Sequence, residues 1–345
     1  MDIGIDSFVS IVTDPGTGRD VTPVERVRHL LEEVERADQV GLDSYGIGEH
    51  HRPEYLDSAP AVLLAAAAAR TTRIRLSSAV AVLSASDPVR VFQEFATLDL
   101  VSAGRMDLVV GRGSFTEAFP LFGLALEDYD SLFAEKLDLL LRIREHERVT
   151  WSGRHRPPLT GQGVYPRPLQ DPLPIWVGVG GTPASFVRAG ALGLPLMVAI
   201  IGGQPARFRP LVDLYREAGR RAGHDPAALR VGLHCFGYVA DSDSRAADEF
   251  YPGWAQMFTK IGQERGFGPP VRAQYDAMLE PDGAFLIGDP DTVAAKALRI
   301  SDDLGGVARL SLQMTNVRLA HEDLLHGIEL LGTRVAPLVR GALGR

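Results

Sequence analysis

Cysteine is almost missing from this chain. Among 345 residues there is one, Cys235, so neither an internal disulfide nor a cysteine-built metal cluster can form. It lies in Val231-Gly232-Leu233-His234-Cys235-Phe236, an apolar run that reads as a buried strand, where a thiol acts as a small core group. Long apolar runs are also lacking. Even 59–69 is interrupted by Pro60 and stops at Arg70, short of the roughly 20 residues that span a bilayer. Positive charge is in deficit: 36 basic against 44 acidic residues leave a net −8, which disfavours nonspecific attraction to nucleic acid or anionic membrane. Met1-Asp2-Ile3-Gly4 has neither the basic stretch nor the apolar core of a secretory signal, so a cytoplasmic protein is expected. What remains is an ordinary globular composition, 45% hydrophobic and 23% charged, able to bury a large core without staples.

Strand-like and helical segments alternate along the chain. Strands are expected at 3–9, 44–47, 74–82, 106–110, 174–179, 196–201, 231–239 and 308–314. Thr22-Pro23-Val24-Glu25 carries the pattern of a capping box with Pro in the first turn, and Val27, Leu30, Leu31 and Val34 continue it at helical spacing to Gly41. Asp87-Pro88 opens a second clear helix, which buries Val89, Phe92, Phe95 and Ala96 and closes at Gly104. Further helices are expected from Pro60, over 130–144, from Thr182-Pro183, over 206–221 and over 322–339. Eight strands, each followed by helix, predict a closed parallel (β/α)8 TIM barrel, with an open doubly wound sheet as the alternative. The whole of 1–345 reads as one barrel domain without internal repeats. Two insertions interrupt it: 149–173 after the fourth helix, rich in Pro, Gly and Arg, and 241–283 after the seventh strand. The second reads as a mobile excursion with some helix; it falls on the catalytic face of a barrel, as a candidate lid, a dimer contact or a solvated decoration.

A barrel gathers its strand ends on one rim. There the sequence puts Glu49-His50-His51 after the second strand, Ala79-Val80 near the end of the third, Gly111-Arg112-Gly113 after the fourth, and Gly180-Gly181-Thr182 after the fifth. In Gly180-Gly181-Thr182-Pro183-Ala184-Ser185 the glycines let a phosphate approach the backbone, and the helix opening at Pro183 directs free N–H groups outward. A plain helix cap is the competing reading. The run is not a dinucleotide fingerprint, since Pro183 stands where a glycine is needed. Arg112 can add positive charge for the same anion, or simply face solvent. Neighbouring histidines on extended backbone point to opposite sides, so one of His50 and His51 is expected to face a substrate, where an imidazole suits proton transfer near neutral pH. The other reading is a core histidine satisfied by a carboxylate such as Glu49. A metal site is not expected: only His50 and His51 lie on the rim, and His321 and His326 are five residues apart, one too many for a zinc helix.

At these residues the sequence resembles the bacterial luciferase-like flavin-dependent monooxygenases. The resemblance runs through Glu49-His50-His51, Ala79-Val80-Ala81-Val82-Leu83, Asp87-Pro88-Val89-Arg90, Ser102-Ala103-Gly104-Arg105-Met106, Gly111-Arg112-Gly113 and Ile175-Trp176-Val177-Gly178 to Gly193-Leu194-Pro195. It implies that His50, with Glu49, belongs to the catalytic group. It also implies a non-proline cis peptide at Ala79-Val80 beneath the flavin ring, and Arg112, Gly180, Gly181, Thr182 and Ser185 around its phosphate. Reduced FMN delivered by a separate flavin reductase, O2, a small organic substrate and a homodimer follow from the same resemblance. Two alternatives stay open: deazaflavin-dependent hydride transfer on the same fold, and a non-catalytic flavin-binding protein. Gly111 replaces the reactive cysteine of luciferase itself, so light emission is not implied, and Asp130 stands near the place expected for a second phosphate-binding arginine.

Overall fold

The computed structural model describes residues 1–344. Its elements in chain order are β1 (Asp2–Ser7), α1 (Pro23–Gln39), β2 (Ser44–Ile47), α2 (Pro60–Arg70), β3 (Arg75–Ser78), β4 (Ala81–Val82), α3 (Pro88–Val101) and β5 (Met106–Gly111). There follow α4 (Ala118–Leu121), α5 (Tyr129–Glu145), β6 (Arg148–Trp151), β7 (Leu159–Gly163), β8 (Ile175–Val179), α6 (Pro183–Ala191), β9 (Leu196–Ala199) and α7 (Arg209–Arg221). The last part holds β10 (Val231–Val239), α8 (Asp243–Arg265), α9 (Arg272–Leu279), β11 (Leu286–Gly288), α10 (Pro290–Asp303), β12 (Arg309–Gln313), α11 (His321–Leu330) and α12 (Ala336–Ala342).

Eight strands pair in parallel around a ring in the order β1, β2, β3, β5, β8, β9, β10, β12 and back to β1. This is a closed (β/α)8 barrel. Strands β5 and β10 are buried along their whole length, which is why they read as apolar runs broken only by Asp107 and His234. Helix starts follow their capping residues: the Asp87 carboxylate accepts from Val89 N at 2.8 Å, and Thr22 Oγ1 accepts from Glu25 N at 3.3 Å.

The N-terminal half of the barrel is plugged. Asp107 lies between Arg75 (2.5 Å) and Arg309 (2.6 Å), and the Arg309 guanidinium sits 4.7 Å from the centre of the Trp176 ring. Burial alone would raise the Asp107 carboxyl, but the two guanidiniums outweigh it and hold it below its ordinary value. Above them Trp176, Val109 and Met197 fill the bore. Ligands therefore have access only from the C-terminal rim.

Several expectations are corrected. The third strand breaks into β3 and β4 at a cis Ala79-Val80 peptide. The insertion 149–173 contains an antiparallel hairpin, β6–β7, anchored by Trp151 Nε1 donating to Asp138 at 2.8 Å. The segment 241–283 is built mainly of α8 and α9 rather than irregular chain. Pro252 within α8 masks a stripe at i, i+4 spacing, Ala246, Phe250, Trp254 and Phe258, that packs on the barrel. Between β10 and β12 the structure adds β11 and α10, the latter opening at Asp289-Pro290, where the Asp289 carboxylate accepts from Thr292 N at 2.8 Å.

Candidate functional site

The rim is assembled from four neighbouring strands. After β2 the chain passes Gly48 and runs through Glu49, His50 and His51. His50 is 8% exposed, and its Nδ1 lies 2.8 Å from Asp57 Oδ2, while its backbone N–H donates to Asp57 Oδ1 at 3.1 Å. Asp57 is fully buried, and burial pushes its carboxyl above the ordinary value even though His50 pulls it back. A carboxylate at Nδ1 draws the ring proton to that nitrogen and leaves Nε2 as the acceptor. The imidazole is enclosed by the rings of Phe8 (4.5 Å), Tyr55 (4.6 Å) and Phe115 (5.5 Å). The Tyr55 hydroxyl is pushed up by burial to about 12, so it stays protonated at neutral pH.

Glu49 turns the other way. Its carboxylate accepts from Val82 N at 2.8 Å and lies 3.1 Å from His51 Nε2. Both side chains line the groove between α2 and α3, outside the barrel. The geometry thus brings His50 to the mouth and takes Glu49 and His51 away from it, as alternation along an extended segment requires. The carboxylate that does meet His50, Asp57, was not identified in the sequence, because a partner seven residues on in an irregular loop follows no helix or strand period.

Val80 occupies a seat made by two glycines. A Cβ on Gly111 of β5 would stand 2.6 Å from Val80 Cγ2, and one on Gly178 of β8 would stand 2.7 Å from Val80 Cγ1. Absence of side chains at those two positions lets Val80 project inward over Trp176 and Met197.

On the next strands, Arg112 follows β5 and donates to Ser185 Oγ at 3.3 Å near the start of α6. It also pairs with Asp130 and lies 5.0 Å from the Tyr129 ring centre. Gly180, Gly181 and Thr182 are exposed, with open space where Cβ atoms on the two glycines would be. Thr182 is the N-cap of α6, yet its hydroxyl makes no capping bond; Pro183 has no N–H and that of Ser185 donates to Thr182 O at 3.0 Å, so the first turn offers an anion that hydroxyl and the Ala184 N–H. One guanidinium, two hydroxyls and a helix N-terminus fit a monoester phosphate, and the Val80 seat beside them suits a flat ring.

Helix α8 spans from β10 back to this rim. Arg52, two residues past His50, pairs with Glu117 at 2.8 Å and with Glu264 of α8 at 2.9 Å. Lys260 of α8 pairs with Glu54, and Arg265 donates to Ser114 O at 3.0 Å. The end of α8 is thereby tied to the loops that carry His50 and Arg112. Elsewhere, His29, Glu32 and His321 form the one group of three such side chains close enough for a metal ion among the described residues, and it lies outside the barrel. Its two imidazoles stack at 3.8 Å and 5°, which turns their lone pairs parallel rather than toward a common point.

Residues 3–306 match the luciferase-like monooxygenase family model, and the chain belongs to that family. It is 29% identical over 332 residues to 4-hydroxyprotoasukamycin monooxygenase of Streptomyces nodosus subsp. asukaensis, covering 91% of this chain and 87% of that one. It is 28% identical to an F420-dependent glucose-6-phosphate dehydrogenase of Nakamurella multipartita, covering 90% and 91%. The crystal structure of monooxygenase RslO1 from Streptomyces bottropensis superposes with a TM-score of 0.84 at 26% identity, covering 98% of this chain and 99% of that one. No helix among the described residues is long and apolar enough to cross a membrane.

Proposed function

We propose that this oxidoreductase is a flavin-dependent monooxygenase that takes reduced FMN from a separate reductase and uses O2 to oxidise a small, largely apolar organic substrate. The observation that supports it most is the Arg112–Ser185 contact at 3.3 Å, at the ends of β5 and β8, the two strands whose Gly111 and Gly178 seat Val80. Arg112, Ser185, Thr182 and the backbone of Gly180 and Gly181 would hold the phosphate, and Ala79-Val80 would support the ring. A bound reduced flavin supplies the electrons with which O2 is activated. His50 holds or moves a proton at Nε2, with Asp57 setting the tautomer. Glu49 is a positioning residue: through Val82 N it braces the chain next to Val80. Helix α8, fastened by Arg52, Lys260 and Arg265, excludes water from the mouth. A homodimer across α2 and α3 accords with exposed Val62 and Val101 on those helices.

The F420-dependent relative from Nakamurella favours a second reading, hydride transfer with a deazaflavin and no oxygen. Titrating the protein with reduced FMN and with reduced F420 under the same conditions separates the two. The first reading expects FMN to bind more tightly and O2 uptake to depend on FMN, NADH and an added flavin reductase. Binding of neither cofactor, or tighter binding of F420 with no oxygen uptake, overturns it.

A further inference from the structure

The opposite wall of the mouth, β10–β12–β1, carries polar groups that the roles above leave unused. His234 Nδ1 lies 2.6 Å from Asp6 Oδ2. These residues come from β10 and β1, which are separated in the ring by β12, so their contact passes through the barrel interior. A Cβ on Gly46 of β2 would strike both Asp6 and Ala79, which puts the pair in the upper layer beside the ring support. The His234 ring stacks on Phe8 at 5.8 Å and 17°, and the same Phe8 ring lies 4.5 Å from that of His50. With Asp6 at Nδ1, His234 presents Nε2 as an acceptor, for which the described residues provide no partner.

Gln313 of β12 is in register with Asp6 on one side and Phe236 on the other. It is 3% exposed, and it faces inward with Arg309 by strand alternation. Its Nε2 donates to Thr315 O at 3.0 Å and to Thr315 Oγ1 at 3.3 Å, which fixes the amide and leaves Oε1 buried without a partner among the described residues. A buried acceptor without a donor is costly, and a ligand that brings one removes the cost.

We infer that His234, backed by Asp6, and Gln313 form the substrate's polar subsite, which selects a neutral apolar ring carrying a hydroxyl. His234 Nε2, beside the Phe8 ring, and Gln313 Oε1 are both acceptors, so they call for a hydrogen-bond donor on an apolar body. An ether or hydrocarbon of the same shape leaves both acceptors bare, and a carboxylate is repelled by Asp6. This inference rests on the flavin-oxidoreductase reading for its place in catalysis, while its binding test does not depend on that reading.

The test compares 2-naphthol, 2-methoxynaphthalene and 2-naphthoate by fluorescence titration at pH 7, in the full chain with and without saturating FMN. Naphthol is expected to bind at least about tenfold more tightly than its methyl ether or the carboxylate, the order of one hydrogen bond to a group otherwise left unpaired. His234→Phe and Gln313→Leu should each cut that preference at least threefold, with the methoxynaphthalene and FMN affinities unchanged. Equal affinity of wild type for naphthol and its ether, or no binding of either, overturns the inference without any variant having to fold. A loss of FMN affinity in Gln313→Leu with the naphthol preference intact also overturns it, since the wall then serves the cofactor. Failure of FMN to bind wild type refutes the functional reading instead, and the naphthol comparison is then read in the flavin-free protein.

Discussion

Replacing Gly178 by alanine isolates the Val80 seat from everything else in the site. The added Cβ would stand 2.7 Å from Val80 Cγ1, whereas carbon–carbon contacts settle at about 3.5–4.0 Å, so one of the two must retreat by roughly 0.8 Å or more. Gly178 lies in β8, hydrogen-bonded within the barrel, so the movement falls on Val80, which is pushed into the mouth. Overpacking of this kind costs about 1–3 kcal/mol. The expected result for Gly178→Ala is a loss of that size in urea unfolding, together with weaker FMN binding read by flavin fluorescence. Val80→Ala removes both γ-methyls, so in that background Gly178→Ala should cost almost nothing. The four proteins form a double-mutant cycle with a coupling of about 1–3 kcal/mol. If the two costs add to within about 0.5 kcal/mol, the steric reasoning fails and Val80 is not seated as described.

Asp57→Asn keeps the shape beside His50 but puts an amide where two donors converge, so either the His50 backbone N–H loses its acceptor or the ring changes tautomer. With about 1.5–3 kcal/mol at stake, FMN-dependent oxygen uptake should fall roughly 10- to 100-fold; a change under twofold in a folded variant refutes the tautomer role. Arg112→Gln should weaken FMN binding about tenfold or more, whereas Asp130→Asn, which releases Arg112 from its carboxylate partner, should strengthen it; equilibrium titration at low and high salt distinguishes these from nonspecific charge effects. Burial lowers the Lys136 ammonium from 10.5 to about 8, while its Nζ donates to Ser84 O at 2.6 Å. Between those values the unfolded chain holds a proton that the folded one has released, so this residue's contribution to stability rises with pH. The stability of wild type relative to Lys136→Met should therefore climb from about pH 8 to 10.5 and be flat below, as urea denaturation at a series of pH values would read; a flat difference throughout refutes the assignment.

Much of the scaffold was legible because it is written locally. Short, mostly apolar strands between capped helices, with Asp or Thr before Pro at several helix starts, set the alternation from β1 to α7, and eight such strands imply closure. Elsewhere local signals conflict. Pro252 and Gly253 disguised α8, and the short β6–β7 hairpin lay among prolines and glycines. At the rim, the motifs around His50, Val80, Arg112 and Ser185 stood out as residue types at strand ends. Asp57, the partner of His50, did not, and that Gly111 and Gly178 together seat Val80 could not be read from their positions in the chain.

From its order of residues alone, this chain determined its period, its caps and which strand ends carry an imidazole, an arginine and a glycine-rich turn, since each depends on neighbours within a few positions. Tertiary structure alone decided that Asp57 rather than Glu49 meets His50, that α8 is tied across the mouth by Arg52, and that Asp6, His234 and Gln313 share one wall. Those contacts join segments that only the closing of the ring and the packing of α8 bring together, and no spacing in the sequence encodes them.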